Sequence, residues 1–307
     1  MDASIIVCTY NRAESLKETL QALGAQHSHP DVNWEVIVVD NNSSDTTREV
    51  IEAACKTWPS FHYAFEAQQG LSHARNHGIN KARGDILLFT DDDVLPEVDW
   101  LETTLAGMEK YQADACGGYI APIWETPPPE WLTERFYGFL AVRTDRTDDY
   151  PITEPGQAPF GANMAFKRNV FQEVGVFDTG RGRKGKVLAS GEDGELFERI
   201  LAADLKAVFL GGSQVHHKVE SFRLTKKYFR RWRLETSKNI AVNCGLPGDR
   251  RLFNVPVYLL PQLMRSILNT ARKHISGPKD EAFQQEMIVC HFVGTIQGLI
   301  QSRNLNL

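Results

Sequence analysis

An α/β fold, with a mostly parallel sheet flanked by helices and a helical C-terminal region, follows from three features of the sequence. Apolar runs of strand length alternate with helical patterns over the first 120 residues. Polar and often acidic residues close each run. From Ser221 onward the pattern is helical. The strand-helix alternation implies right-handed crossovers and parallel strands. In such sheets ligands bind at the carboxyl ends of the strands.

Ser4 to Cys8 is a continuous apolar run, as expected of a strand buried on both faces. The polar turn Thr9-Tyr10-Asn11-Arg12 follows, then a helical pattern through Leu16, Leu20 and Leu23. Trp34 to Val39 is the second strand and closes on Asp40, after which Ser44 is expected to N-cap the next helix. Phe61 to Phe65 is a third strand and Gly70 to Lys81 a third helix. Ile86 to Phe89 is the fourth strand, ending in Thr90 and Asp91-Asp92-Asp93, with Pro96 and Glu97 suited to a helix's first turn. Trp124 to Pro159 holds three consecutive prolines and the aromatics Trp131, Phe136, Tyr137 and Phe139, a long insertion of the kind that shapes a pocket or lid. Its aromatics suit stacking on a ligand or plain packing. Phe160 to Phe166 resumes apolar character, and Gly191-Glu192-Asp193 opens a helix through Leu196, Ile200 and Leu201. Further helices are expected over Tyr258 to His274 and Ala282 to Gln301.

The chain has 307 residues, enough to bury a substantial core without disulfide staples. Lys plus Arg is 34 against 39 Asp plus Glu, so a net charge of −5 gives no global reason to bind nucleic acid. Five scattered cysteines contain no CxxC, which argues against a zinc knuckle or redox dithiol and suits a reducing cytosol. No apolar run reaches the ~20 residues of a membrane-spanning helix. A cytoplasmic protein is expected, working in solution or at the inner face of the cell membrane.

Three adjacent carboxylates at a strand end repel one another unless a cation neutralises them. Oxygen ligands favour Mg2+ or Mn2+, ions that commonly accompany phosphates. A solvated turn capping a helix is the other reading of this triplet. Asp40 ends a parallel strand where a sugar hydroxyl or base edge is reached in nucleotide-binding sheets. Gly70 opens a helix carrying Arg75 and Asn76 in its early turns, a setting that suits an anion.

The segments SIIVCTYNR, VIVVDNNSSD, GLSHARNHGI, GDILLFTDDDV, PFGANMAFKRNVF with VGVFD, and GEDGEL occur in this order. In order and spacing, over roughly residues 3–240, the chain resembles the family 2 inverting glycosyltransferases of the GT-A fold. The resemblance implies a Rossmann-like, mostly parallel nucleotide-binding sheet with a helical C-terminal extension. It implies a GT-A domain over 1–220, its nucleotide-sugar half 1–123 and its acceptor and catalytic half 124–220, and the extension over 221–307. It further implies transfer of a sugar from a nucleoside-diphosphate sugar, a UDP-sugar first, to a saccharide or lipid-linked acceptor in cell-surface polysaccharide or glycoconjugate synthesis. Carried over by position, Thr9, Tyr10, Arg12, Asp40, Ala74, Arg75, Asn76, Asp91 and Asp92 bind the nucleotide. Asp93, with His217, holds Mn2+ or Mg2+. Asp193 is the general base, and Gly161, Ala162, Asn163 and Glu192 line the donor and acceptor side. Structural alternatives stand beside three of these: first-turn helix charge for Glu192 and Asp193, and an ordinary surface histidine for His217, which with His216 is expected to follow a strand.

Arg231-Trp232 resembles the end of the QxxRW motif of processive relatives, but Tyr228 stands in place of Gln, so processivity is not implied. Arg223, Lys226, Lys227, Arg230, Arg231, Arg233 and Lys238 give a local basic surface. Leu259, Leu260, Leu263, Met264, Ile267, Leu268 and Ala271 form one helical stripe flanked by Arg265, Arg272 and Lys273, suited to a membrane surface or to packing on a neighbouring helix. Two other classes remain. A sugar-phosphate nucleotidyltransferase carries a Gly-rich, Arg-containing loop after the first strand, which TYNR lacks. A non-catalytic nucleotide-sugar-binding protein has no need of Asp91, Asp93 and Asp193.

Overall fold

The structure, a computed structural model, describes residues 1–305 except 186, 189 and 249. The expected alternation is present as β1 (Ala3–Thr9), α1 (Ala13–Gly24), β2 (Trp34–Asp40), α2 (Thr47–Thr57), β3 (Phe61–Phe65), α3 (Leu71–Lys81) and β4 (Ile86–Asp91). Then come β5 (Val94–Pro96), α4 (Trp100–Tyr111), β6 (Ala115–Trp124), β7 (Tyr150–Ile152), β8 (Met164–Lys167), α5 (Val170–Glu173), α6 (Glu192–Ala202) and β9 (Ala207–Val219). The C-terminal part holds α7 (Lys226–Cys244), β10 (Arg251–Leu252), β11 (Val255–Pro256), α8 (Leu259–Ser276) and α9 (Lys279–Leu305).

Among the described residues nine strands share one sheet in the order β3-β2-β1-β4-β8-β6-β9-β5, with β7 on β9. β3, β2, β1 and β4 are parallel. β8 runs antiparallel to β4, as β5 and β7 do to β9. The chain steps outward from β1 to β2 and β3, then returns to β1's other side as β4. That reversal opens a crevice between the ends of β1 and β4. Register sets Thr9 beside Asp40 and Cys8 beside Asp91, so the polar strand ends share one rim.

Side chains alternate between the two sheet faces, as a pleated strand requires. Ile5, Val7, Val36, Val38 and Leu88 pack with Leu16, Leu20, Ile51, Trp100 and Met108 on one face. Ile6, Ile37, Val39, Leu87 and Phe89 pack with Ala74, Ile79, Leu196 and Ile200 on the other. Both faces are covered, hence the unbroken apolar runs.

Three expectations are corrected. Ser44 does not cap α2: the helix starts at Thr47, whose N–H and hydroxyl reach the Asp45 carboxylate at 3.1 and 2.5 Å. Pro96 and Glu97 do not open a helix. Val94–Pro96 pairs with β9 instead, and α4 begins at Trp100. His216 and His217 lie within β9 rather than after it.

The chain divides into two compact units. The first comprises 1–123, 141–179 and 192–219 and carries the nine-stranded sheet. The second comprises 124–140, 180–191 and 220–307. Segment 124–140 groups with the C-terminal helices because Trp131 meets Phe283 at 4.9 Å between ring centroids and Phe229 at 5.3 Å, while Phe139 meets Trp232 at 4.9 Å. Of the two uses open to these aromatics, Trp131, Phe136 and Phe139 take packing. The basic surface expected over residues 223–238 is partly neutralised: Arg230 pairs with Glu286 and Arg231 with Glu235, while Arg223 is buried.

Candidate active site

The rim of the sheet-bearing unit is built from the ends of β1, β2 and β4, the starts of α3 and α6, and one histidine of β9. Strands end where a polar residue can meet solvent, and here three parallel strands end side by side. Asp40 is buried, its Oδ1 accepting from the Ser43 N–H at 2.9 Å and its Oδ2 from Tyr63 Oη at 3.4 Å. Asn41, buried beside it, was missed by the sequence reasoning. Its amide donates to the carbonyls of Glu66 and Gln68 at 3.1 and 2.7 Å, and its Oδ1 accepts from the Gly70 N–H at 2.8 Å. Asn41 thereby ties the end of β2 to the start of α3, and Gly70 there has φ +148°, a backbone that favours glycine. Asn11 was also missed. At φ +52°, it links the β1–α1 turn to the next loop, accepting from the Ser44 N–H at 2.7 Å. The only sequence signal for either was an Asn within a turn at a strand end.

The three consecutive aspartates divide between two clusters. Asp91 faces Arg75, with Nη2 3.5 Å from Oδ1. Arg75 is 3% exposed, donates from Nη1 to Glu192 Oε1 at 2.9 Å, and lies 5.3 Å from the centroid of the Phe177 ring. Gly161 makes room for it: a Cβ there would lie 1.9 Å from Arg75 Nη2. The Gly161 N–H also donates to Asp193 Oδ2 at 3.1 Å, and the Gly194 N–H to Oδ1 at 2.8 Å. Burial, and then the charge of Asp193, push the Glu192 carboxyl up against the pull of Arg75. Glu192 Oε2 is buried with no hydrogen-bond partner among the described residues. Asp193 is partly exposed, so of this acidic pair it is the member that faces solvent.

Asp92 and Asp93 turn the other way. Arg12 Nη1 donates to Asp93 Oδ2 at 2.5 Å and stands 3.7 Å from Asp92 Oδ1. Burial pushes Asp92 up to about 7, with Arg12 opposing and Asp93 adding to the shift. His217 Nε2 is 3.3 Å from Asp93 Oδ1, and the histidine is 2% exposed. Of the two sequence readings of His217, the surface one is overturned: Val215, His217 and Val219 all point inward from β9. Among the described residues no group of three or more His, Cys, Asp and Glu is arranged to hold a metal ion. Asp93 and His217 still form an oxygen and nitrogen donor pair, and Arg12 shows that this pocket accommodates positive charge. As donor types the pair fits a divalent cation.

Several expected site residues have side chains engaged elsewhere. Ala74 and Ala162 are fully buried. Asn76 clamps the backbone of Phe177, donating to its carbonyl at 2.8 Å and accepting from its N–H at 3.0 Å. Asn163 donates to the carbonyls of Ser213 and Tyr119 and accepts from Trp100 Nε1 at 2.9 Å, a strut inside the core. Tyr10 is exposed at the rim. Burial pushes the Cys8 thiol up to about 12, with Arg75 opposing, so no thiolate nucleophile lies there.

Residues 4–175 match the family described as Glycosyl transferase family 2. The chain is 33% identical over 227 residues to a glucosyl-dolichyl phosphate glucuronosyltransferase of Haloferax volcanii, covering 73% of this chain and 71% of the relative. It is 28% identical over 237 residues to a succinoglycan biosynthesis protein of Rhizobium meliloti, covering 73% and 71% respectively. Among solved structures, a mannosyltransferase from Pyrobaculum calidifontis in complex with GDP-Man and Mn2+ aligns with a TM-score of 0.62 at 20% identity. That alignment covers 97% of this chain and 86% of the mannosyltransferase, and the shared architecture is the GT-A fold.

Proposed function

The chain belongs to glycosyl transferase family 2 and is a glycosyltransferase of GT-A fold, and from that premise we propose an inverting transfer from a nucleoside-diphosphate sugar to an acceptor hydroxyl. The observation that carries this reading is Asp193, partly exposed at the start of α6 and oriented by two backbone N–H groups beside the Arg75–Asp91 pair. A fixed carboxylate facing solvent is suited to take the acceptor's proton as its oxygen attacks the anomeric carbon. The new C–O bond forms on one face while the bond to the diphosphate breaks on the other, so the configuration inverts. No enzyme nucleophile is needed, in keeping with the buried thiol of Cys8.

Thr9, Asp40 and Asp91, aligned on adjacent strands, form the cradle for base and ribose. A nucleotide there lies at the β1/β4 reversal, where α/β sheets take their ligands. Arg75 is buried between Asp91 and Glu192 and acts as a positioning residue, fixing both carboxylates rather than gripping phosphate. Asp93 and His217 would hold Mn2+ or Mg2+, which when bound supplies positive charge to the leaving diphosphate. The rhizobial relative's name supports a polysaccharide product, and the haloarchaeal one's name supports a lipid-phosphate-linked acceptor.

The test is Asp193→Asn. Loss of a general base lowers transfer by about 10²–10⁴-fold. Donor affinity and unfolding temperature should stay at wild-type levels, measured on the same preparation. Near-wild-type turnover would remove Asp193 from the base's role and make Glu192 the next candidate.

A further inference from the structure

The apolar stripe of α8 packs on the protein along one edge only. The face of this helix turned to the protein carries Leu259, Leu263, Ser266 and Thr270. Leu259 packs in a small cluster with Val255, Ala241 and Leu299, and the end of α8 is tied to α9 by an ion pair of Lys273 with Glu281 and a hydrogen bond between His274 Nε2 and Glu286 Oε1. The opposite side presents Leu260, Met264, Ile267, Leu268, Ala271 and Ile275 to solvent. On a helical wheel these six fall within an arc of about 100°. Met264 is 56% exposed, Leu268 64% and Ile275 86%. The β10–β11 turn that leads into the helix adds Leu252 and Phe253, also exposed.

Charge separates the candidate occupants of this face. From Arg250 to Pro278 there is no Asp or Glu, while Arg250, Arg251, Arg265, Arg272 and Lys273 fall in the same stretch of a chain whose net charge is −5. Arg265 and Arg272 border the apolar arc on one side and have no acidic partner among the described residues. We propose that α8, with the β10–β11 turn, is a docking face for an anionic lipid surface, its apolar arc entering the headgroup boundary and Arg265 and Arg272 meeting lipid phosphates. An exposed apolar arc edged by unpaired guanidinium groups is the pattern of a helix lying in a membrane interface. A second copy of this chain fits worse, because an antiparallel two-fold contact through this face sets one positive edge against another. Among the described residues no helix is long and apolar enough to cross a membrane, so the contact is interfacial.

Flotation of the full chain with phosphatidylcholine vesicles, with and without phosphatidylglycerol, tests the proposal. Wild type should float with the anionic vesicles at low salt and be released at high salt. Met264→Glu with Leu268→Glu should abolish flotation while leaving the unfolding temperature and turnover of a water-soluble acceptor unchanged, since both side chains face water. Arg265→Gln and Arg272→Gln should each weaken partitioning by roughly fivefold. Equal flotation with uncharged vesicles, or indifference to the arginine changes, would overturn the assignment. So would a wild-type dimer by light scattering that the Glu variants make monomeric, with no vesicle binding.

Discussion

A single residue type, repeated three times, does two different things at the end of β4. Asp91 turns to Arg75, and Asp93 turns to Arg12 and His217. The triplet was legible in the sequence as carboxylates crowded at a strand end; its division was not, because the partners come from far along the chain. Arg12 is 81 residues from Asp93, and Arg75 is 117 from Glu192. The same limit explains Asn76 and Asn163, which sequence order places in ligand-binding segments and whose amides the fold uses as internal clamps. Gly161 is the residue whose substitution tests this arrangement most sharply. A methyl group there meets the Arg75 guanidinium, which is held by Glu192, Asp91 and Phe177 and has little room to give. Gly161→Ala should cost about 1–3 kcal/mol in urea unfolding, the usual cost of overpacking. Turnover should fall with it, since the Gly161 N–H orients Asp193. Wild-type stability and rate together would show that Arg75 is not confined as described.

At the scale of elements, continuous apolar runs marked β1, β2 and β4 because both faces of those strands are covered. Short strands such as β5 and β7 escaped, being stabilised by pairing with β9 rather than by any run of their own. The amphipathic period of α8 was legible, but a period does not say which face meets the protein. The end of the sheet remote from the rim is closed by Glu35. Its Oε1 accepts from Ser4 Oγ at 2.7 Å and from the Arg83 N–H at 2.8 Å, and its Oε2 from Arg83 Nε at 2.9 Å. Burial alone would raise this carboxyl, yet the bonds from Arg83 and Ser4 hold it below its ordinary value. The native state therefore binds its proton less readily than the unfolded chain. The resulting stability is present above the unfolded carboxyl's range and is lost as pH falls through the native value. Denaturant titrations from pH 7 to pH 3 should show Glu35→Gln less stable at neutral pH by about 1–3 kcal/mol, the cost of a broken buried hydrogen-bond set. The gap should close toward pH 3. A gap that persists unchanged there would assign the loss to packing instead of charge.

For the whole molecule, the glycosyltransferase reading predicts a linkage between ligand and stability. A nucleoside diphosphate at about 100-fold its dissociation constant adds ~2.7 kcal/mol. With Mn2+ present, UDP should raise the unfolding temperature, and Asp93→Asn should remove the part of that rise that depends on the cation. An identical rise with EDTA would take Asp93 and His217 out of cation binding. The aromatic cluster of the second unit carries a different consequence, one of timing. Trp131, Phe136 and Phe139 precede the sheet's last strands in the chain, while Phe229, Trp232 and Phe283 follow them. At synthesis rates of roughly 5–20 residues per second, the early aromatics wait on the order of ten seconds for their partners to leave the ribosome. During translation, then, the aromatics of residues 124–140 leave the ribosome well before the side chains that cover them in the native fold.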